Sequence, residues 1–113
     1  MLIDFKTMEE KIIPNMRGGE KEARMRMHTD PLCKVVQGQL IPGASIGMHT
    51  HETDSETMYY LSGKGTILFD GESFPVQAGD CHYCPNGHSH SLINDGNEEL
   101  IFLAVIPVHK EDK

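Results

Sequence analysis

Residues 43–56 read GASIGMHTHETDSE and contain two histidines separated by one residue, followed by a glutamate. Alternate residues of a β-strand point to the same face, so His49 and His51 would project together, roughly 7 Å apart along the backbone. Glu56 follows after a short loop and offers a carboxylate oxygen. Imidazole nitrogens and carboxylate oxygens are ligands for Mn, Fe, Co, Ni and Zn. Because such histidine pairs also occur on protein surfaces, a metal site depends on the pattern around them.

Short apolar segments lie on both sides of this stretch and are separated by turn residues. Asp70-Gly71 is the strongest turn signal, because glycine readily adopts the positive φ of a tight hairpin. The sequence predicts strands at 23–28, 33–41, 45–51, 58–61, 66–69, 72–76, 81–84, 88–94 and 100–107. The sequence contains no long amphipathic helical pattern. Many short strands with frequent turns predict an all-β protein with little helix, either a sandwich or a barrel.

The first residues differ in character from the rest of the chain. They are rich in charge, contain Gly18-Gly19, and have a short helical pattern that Pro14 ends. We therefore predict an N-terminal arm over residues 1–23 with little independent structure. The remaining residues, 24–113, are predicted to form a single β-domain.

Composition and charge limit the possible partners. The formal net charge is −7 and the sequence has no basic patch, so binding to nucleic acid or to an anionic membrane is not expected. The longest strongly apolar run, residues 100–108, is far shorter than the span of about 20 residues that crosses a membrane. Residues 1–6 lack the apolar segment of a secretion signal. Together with an odd number of cysteines, this predicts a cytoplasmic protein with reduced thiols.

Two sets of regularly spaced residues extend the pattern. The first set is glycine, His-x-His, glutamate and glycine, at Gly43, His49, His51, Glu56 and Gly63. The second set is glycine, Pro-x-Gly, histidine and asparagine, at Gly79, Pro85, Gly87, His90 and Asn94. In residue type and in spacing, all ten positions resemble the two motifs of the cupin superfamily. The short segment between the motifs, residues 64–78, is similar to that of small bacterial cupins.

The resemblance implies a jelly-roll barrel, also called a double-stranded β-helix, over residues 24–113. It implies one divalent metal ion, which could be Mn, Fe, Zn, Ni or Co, bound by His49, His51, Glu56 and His90. Small cupins with similar segments are labelled oxalate decarboxylase, sugar-phosphate-isomerase-like or RmlC-like. The oxalate decarboxylases carry an arginine where this sequence has Ile46, so the sequence departs from them at that position.

Two functions are consistent with such a site. The first is a metal-dependent enzyme that acts on a small carboxylate or carbonyl compound, as a decarboxylase, an isomerase or a dioxygenase. Tyr60 and His88 are its candidate catalytic residues, because Tyr60 shares strand parity with Glu56 and a histidine transfers protons near neutral pH. The alternative is a non-catalytic module that binds or senses a small molecule, with the metal as the anchor for that ligand.

Several other polar residues each have two interpretations. Arg24 and Arg26 could bind a carboxylate at the mouth of a barrel, or could lie on a solvated edge strand. His82 could face the pocket or be a structural histidine. Cys81 and Cys84 have the spacing of a redox or zinc motif, but on a strand they face opposite sides, which favours buried small side chains.

The predicted N-terminal strand would lie at an edge of the barrel. Edge strands are usually covered, and in related small cupins this strand often pairs with a second subunit. We therefore predict a homodimer formed through the N-terminal strand. Met16, Met25 and Met27 are expected to pack in that contact.

Overall fold

Ten antiparallel strands and two short 3-10 turns form the protein in a computed structural model that describes residues 1–109. The prediction of an all-β fold with little helix is confirmed. In chain order the strands are β1 (Lys11–Pro14), β2 (Glu22–Thr29), β3 (Cys33–Leu40), β4 (Ser45–Thr50), β5 (Glu56–Ser62), β6 (Lys64–Phe69), β7 (Glu72–Gln77), β8 (Cys81–Cys84), β9 (Ser89–Ile93) and β10 (Leu100–Pro107). The 3-10 turns are Phe5–Thr7 and Met16–Gly18.

The strands form two sheets. One sheet has six strands in the order β1-β2-β3-β10-β5-β8, and the other has four in the order β4-β9-β6-β7. Neighbours in each sheet are mostly distant in sequence: β10, for example, pairs with both β3 and β5. The chain therefore passes repeatedly from one sheet to the other, as in a jelly roll.

One hydrophobic core is built from the inward faces of both sheets. Leu40 and Phe102 of the six-stranded sheet and Ile67 and Leu92 of the four-stranded sheet are all buried. Burial alternates along the strands, as in the segment Val36–Leu40 of β3, so each strand gives one face to the core. Each fully buried side chain of this size contributes about 1.5–3 kcal/mol to folding.

The segment predicted as an N-terminal arm contains one strand and both 3-10 turns. Strand β1 pairs with β2 at the edge of the six-stranded sheet, and the Met16–Gly18 turn packs against β4. The predicted boundary between residues 23 and 24 lies within β2, and the division into arm and domain stays a prediction. Residues 110–113 of the predicted domain lie outside the described residues.

Strand β4 contains a bulge just before its histidine. Ile46 pairs with Leu92 and His49 pairs with His90, so β4 uses one residue more than β9 over this step. A bulge turns the following side chains to the other face. As a result, Ile46 and His49 both face the interior, although simple alternation would place them on opposite faces.

Candidate metal centre

Three imidazoles and one carboxylate converge in the interior of the barrel. His49 lies on β4, His51 follows the end of that strand, Glu56 begins β5 and His90 lies on β9. Their donor atoms all lie within 4.8 Å of one another. Nε2 of His90 is 3.0 Å from Nε2 of His51 and 3.1 Å from Nε2 of His49. The structure thus brings together all four residues of the predicted ligand set.

Hydrogen bonds at Nδ1 fix the tautomers of His49 and His51. Nδ1 of His49 is 2.7 Å from the carbonyl oxygen of Gly47, and Nδ1 of His51 is 2.6 Å from Oδ1 of Asp54. A carbonyl or a carboxylate oxygen can only accept, so both Nδ1 atoms donate a proton. In the neutral rings the lone pairs are then on Nε2, which faces the cluster. Hydrogen bonds of this kind orient metal-binding histidines in proteins.

The chemistry of this donor set fits a divalent cation. Glu56 Oε1 lies 2.9 Å from Nε2 of His90 and 3.1 Å from Nε2 of His51. Nitrogen lone pairs and an ionised carboxylate at these distances repel one another unless a proton or a cation lies between them. The His/Glu group can therefore bind a metal ion.

The electrostatics of the cluster support the same conclusion. Burial alone raises the pKa of Glu56, but hydrogen bonds and charge interactions with His51 and His90 together outweigh burial and lower that pKa to about 2. Glu56 is therefore ionised at neutral pH. Burial lowers the pKa of His49, which keeps this ring neutral. The hydrogen bond with Glu56 raises the pKa of His51, so without a metal ion this ring attracts a proton.

His82 lies behind His90. Its Nε2 is 3.0 Å from Nδ1 of His90, and its ring is buried against the rings of Phe69 and Phe74. Burial lowers the pKa of His82 to about 4, so the ring is neutral at pH 7 and can accept a hydrogen bond from His90. His82 thus contacts a proposed ligand on the side away from the cluster.

The four donors line a cavity of about 80 Å³. Its wall is mostly apolar and includes Met25, Val36, Met58, Leu92, Phe102 and Ile106. Met16 and Met27 also line the cavity, and Met25 is almost fully buried. The expectation of a subunit contact is therefore wrong for Met25, because this side chain is buried within the chain. For Met16 and Met27, which are only partly buried, it stays a prediction.

The structure places neither candidate catalytic residue in this cavity. Tyr60 is fully buried, and its hydroxyl lies 3.8 Å from the sulfur of Met58. Burial raises the pKa of Tyr60 far above its usual range. His88 is exposed, and its Nδ1 lies 2.5 Å from Oδ2 of Asp70. Met58 and Tyr60 have the same strand parity as Glu56 but differ in their surroundings. Met58 lines the cavity, whereas Tyr60 is buried in the core.

The arginines that the sequence suggested for the barrel mouth are paired elsewhere. Nε of Arg24 lies 3.0 Å from Glu22, and Arg26 lies 3.5 Å from Glu10. Neither arginine lines the cavity, which favours the solvated-edge interpretation. Of the CxxC pair, Cys84 is buried and Cys81 is exposed, and all three cysteines of the chain are free.

Two cations that the sequence reading missed line the cavity instead, Arg17 and Lys34. Lys34 could have been found by alternation, because it has the same parity on β3 as the buried residues Val36 and Leu40. No sequence signal identifies Arg17, because its position depends on the turn Met16–Gly18.

Comparison with known proteins agrees with this fold. The family model described as "Cupin domain" matches residues 37–106. An oxalate-binding protein from Thermotoga maritima is 37% identical over an alignment of 113 positions. The alignment covers 94% of this chain and 93% of that protein. The crystal structure of a predicted oxalate decarboxylase from Thermotoga maritima is 35% identical in sequence and has a TM-score of 0.90. The match covers 96% of this chain and 99% of that protein.

The fold is also shared with more distant proteins. An RmlC-like cupin from Shewanella frigidimarina has a TM-score of 0.79 over 98% of this chain and 93% of its own, at 18% identity. The family match and the long relative together show that this chain belongs to the cupin family. The resemblance first seen in ten residues is therefore confirmed.

Within residues 1–109, the structure contains no helix that has the length and apolar character needed to cross a membrane.

Proposed function

We propose that this cupin is a metal-dependent enzyme that acts on a small carboxylate or carbonyl compound, as a decarboxylase, an isomerase or a dioxygenase. One observation carries the proposal: the four converging donors line the same cavity as the apolar wall. A small molecule in this cavity would lie directly against the donor cluster. The names of two relatives, an oxalate-binding protein and a predicted oxalate decarboxylase, support a carboxylate ligand.

The metal would be one divalent ion, Mn, Fe, Zn, Ni or Co, held by His49, His51, Glu56 and His90. The inward-facing Nε2 atoms and the ionised carboxylate support this assignment. Such a donor set accepts several ions, and occupancy follows availability as well as affinity. When bound, a divalent ion supplies a Lewis acid that polarises carbonyl and carboxylate oxygens.

The chain itself would orient the ligand and exclude water. Met58, Leu92 and Phe102 present apolar surface beside the donors. Low polarity strengthens electrostatic interactions within the cavity. Because Tyr60 and His88 lie outside the cavity, an acid–base role for either would require a rearrangement of the site.

The test is metal content and turnover of the purified chain. Metal analysis is followed by a screen against oxalate, 2-oxo acids, diketones and sugar uronates. His49→Ala should remove both bound metal and turnover, while the matched control His28→Ala should keep both, because His28 pairs with Asp30 outside the cluster. Turnover that persists in metal-free His49→Ala would contradict the proposal.

A non-catalytic binding or sensing role is the second candidate, and the composition of the cavity favours it. Among the described residues, the titratable side chains that line the cavity are the four donors together with Arg17 and Lys34. A dedicated acid or base that is not also a metal ligand is therefore restricted to these two cations. Tight binding of a screened compound without any turnover would support this second role over the enzyme.

We also propose a homodimer formed through the N-terminal strand. Among the described residues, strand β1 is at the edge of its sheet and pairs with β2 alone, and Ile12 on β1 is 57% exposed. Sedimentation equilibrium of the wild-type chain and of Ile12→Lys tests this, since the substitution should shift a dimer toward monomer. The three free thiols support a cytoplasmic location, which cell fractionation tests.

A further inference from the structure

We propose that Arg17 and Lys34 form an anion-binding rim on the metal cavity, and that the ligand is a small carboxylate with a short alkyl chain. The inference rests on the proposed function, because it assigns the ligand of the same site. Its observations are independent of the donor cluster: a constrained loop, two cations in an acidic protein, and an apolar wall.

Arg17 is held in a backbone conformation that side chains rarely adopt. Its φ is 55°, and two more non-glycine residues of the same loop, Asn15 and Lys21, have φ of 50° and 54°. Such positive φ values are uncommon outside glycine. When strained residues cluster in one segment, the segment is a candidate for function. Nothing in this backbone conformation requires an arginine, whereas asparagine would adopt it more readily.

The loop that contains Arg17 is hydrogen-bonded to β4, the strand that contains His49. The amide of Ser45 donates to the carbonyl of Glu20 at 2.9 Å, and the amide of Glu20 donates to the Ser45 hydroxyl at 2.8 Å. The contact is so close that a Cβ atom on Gly47 would lie 2.1 Å from the carbonyl oxygen of Arg17. The turn that contains Arg17 therefore packs against Gly47, two residues before His49 on β4, and Arg17 lines the cavity.

The second cation reaches the cavity from the opposite sheet. Lys34 is near the start of β3, on the face that its neighbour Val36 gives to the core. Within residues 1–109, no acidic side chain forms an ion pair with Arg17 or Lys34, whereas Arg24 is paired with Glu22. Both cations are thus available to a ligand.

The charge around the cavity favours an anion. The whole chain carries a net charge of −7, yet the described residues that line the cavity include two cations, Arg17 and Lys34, and one acid, Glu56. A divalent ion on the donors would make this cavity strongly positive. Positive potential in a low-dielectric cleft concentrates anions. The guanidinium of Arg17 suits a carboxylate, which it can bind with two parallel hydrogen bonds.

The wall indicates that the anion also has an apolar part. Met25, Val36, Met58, Leu92 and Phe102 offer only carbon and sulfur atoms from their side chains. A ligand without an alkyl group would make no apolar contact with this surface, whereas an alkyl chain would pack against it and be removed from water. A cavity of about 80 Å³ limits that chain to a few carbons.

The test uses calorimetric titration of the full chain loaded with Co²⁺. The probes are 2-oxopropanoate, 2-oxopentanoate and the neutral analogue 2,3-hexanedione, in which a methyl ketone replaces the carboxylate. The variants are Arg17→Asn and Lys34→Gln, with Arg24→Gln as the matched control for loss of one paired surface arginine. Thermal midpoints are measured for every variant.

We expect 2-oxopentanoate to bind more tightly than 2-oxopropanoate, by up to about fourfold for each added methylene. The diketone should bind at least about tenfold more weakly than 2-oxopentanoate, since it lacks the charge-assisted hydrogen bonds. Arg17→Asn should lower the affinity for 2-oxopentanoate about tenfold but leave the affinity for the diketone unchanged. Its thermal midpoint should stay the same or rise, which a purely structural role for Arg17 would not allow.

Equal affinity of Arg17→Asn and wild type for 2-oxopentanoate overturns the inference, as does a diketone that binds as tightly as the oxo acid. If Arg17→Asn does not fold, Lys34→Gln decides alone: weaker binding of the oxo acid supports the rim and unchanged binding overturns it. A wild-type chain that takes up no Co²⁺ contradicts the proposed function itself. A chain that takes up Co²⁺ but does not prefer the carboxylate contradicts only the rim.

Discussion

Replacement of His82 by phenylalanine is predicted to weaken metal binding without weakening the fold. Nε2 of His82 lies 3.0 Å from Nδ1 of His90, in a buried pocket that already contains Phe69 and Phe74. Phenylalanine has a similar shape and packs in this pocket, but it has no nitrogen. The substitution therefore removes one hydrogen bond and keeps the apolar contacts.

The loss should fall mainly on the metal-bound state. A metal ion on Nε2 of His90 keeps the ring proton on Nδ1, and without His82 this buried N–H has no acceptor. When no metal is bound, the proton can move to Nε2 and be donated to Glu56, which is 2.9 Å away. A buried donor without a partner costs about 1–3 kcal/mol. Loss of such a supporting hydrogen bond typically lowers metal affinity about 10–100-fold.

The assay is competition for Zn²⁺ or Co²⁺ with a chelating dye, combined with thermal unfolding of the metal-free chain. We expect His82→Phe to lose about 10–100-fold in affinity, with little change in the metal-free midpoint. His82→Gln, whose amide oxygen can accept a hydrogen bond from Nδ1–H of His90, should recover part of the affinity. Wild-type affinity in His82→Phe would refute the reasoning, and so would an equal loss in both variants.

Three further predictions follow from the same structure. Metal affinity should fall as the pH is lowered, and the fall should begin above pH 6.5, because the raised pKa of His51 favours a proton that competes with the metal. Metal titration at several pH values checks this, and an affinity that does not depend on pH would contradict it. A thiol reagent at pH 8 should modify the exposed Cys81 rapidly and Cys84 only after unfolding, because burial raises the pKa of the Cys84 thiol to about 11. Equal modification rates of the two thiols in the folded chain would be inconsistent with this. Gly47→Ala should destabilise the chain by about 1–3 kcal/mol in denaturant unfolding, because the new methyl group would overlap the carbonyl of Arg17; wild-type stability would show that the loop is not packed there.

The sequence was sufficient to predict the fold class and the metal candidates. Alternation of short apolar segments indicated the strands, and the spacing of two motifs identified His49, His51, Glu56 and His90 before the structure brought them together. These four depend on local strand geometry and on a family pattern, both of which can be read from one sequence. The structure added that Nε2 of the three histidines, rather than Nδ1, faces the cluster.

The sequence did not predict the cavity wall, because the wall depends on contacts between sheets. Met58 and Tyr60 have the same parity, yet only Met58 lines the cavity. The β4 bulge brings Ile46 to the same face as His49, contrary to simple alternation. Arg17 reaches the cavity through a left-handed backbone conformation that neighbouring residues do not signal.

The most direct test of the central claim is a crystal structure of the metal-loaded chain, with an anomalous difference map recorded at the absorption edge of the bound metal. We predict one peak per chain within bonding distance of Nε2 of His49, His51 and His90 and of a carboxylate oxygen of Glu56. A peak at any other position, or imidazoles that bind through Nδ1, would contradict the assignment of this cluster as the metal centre.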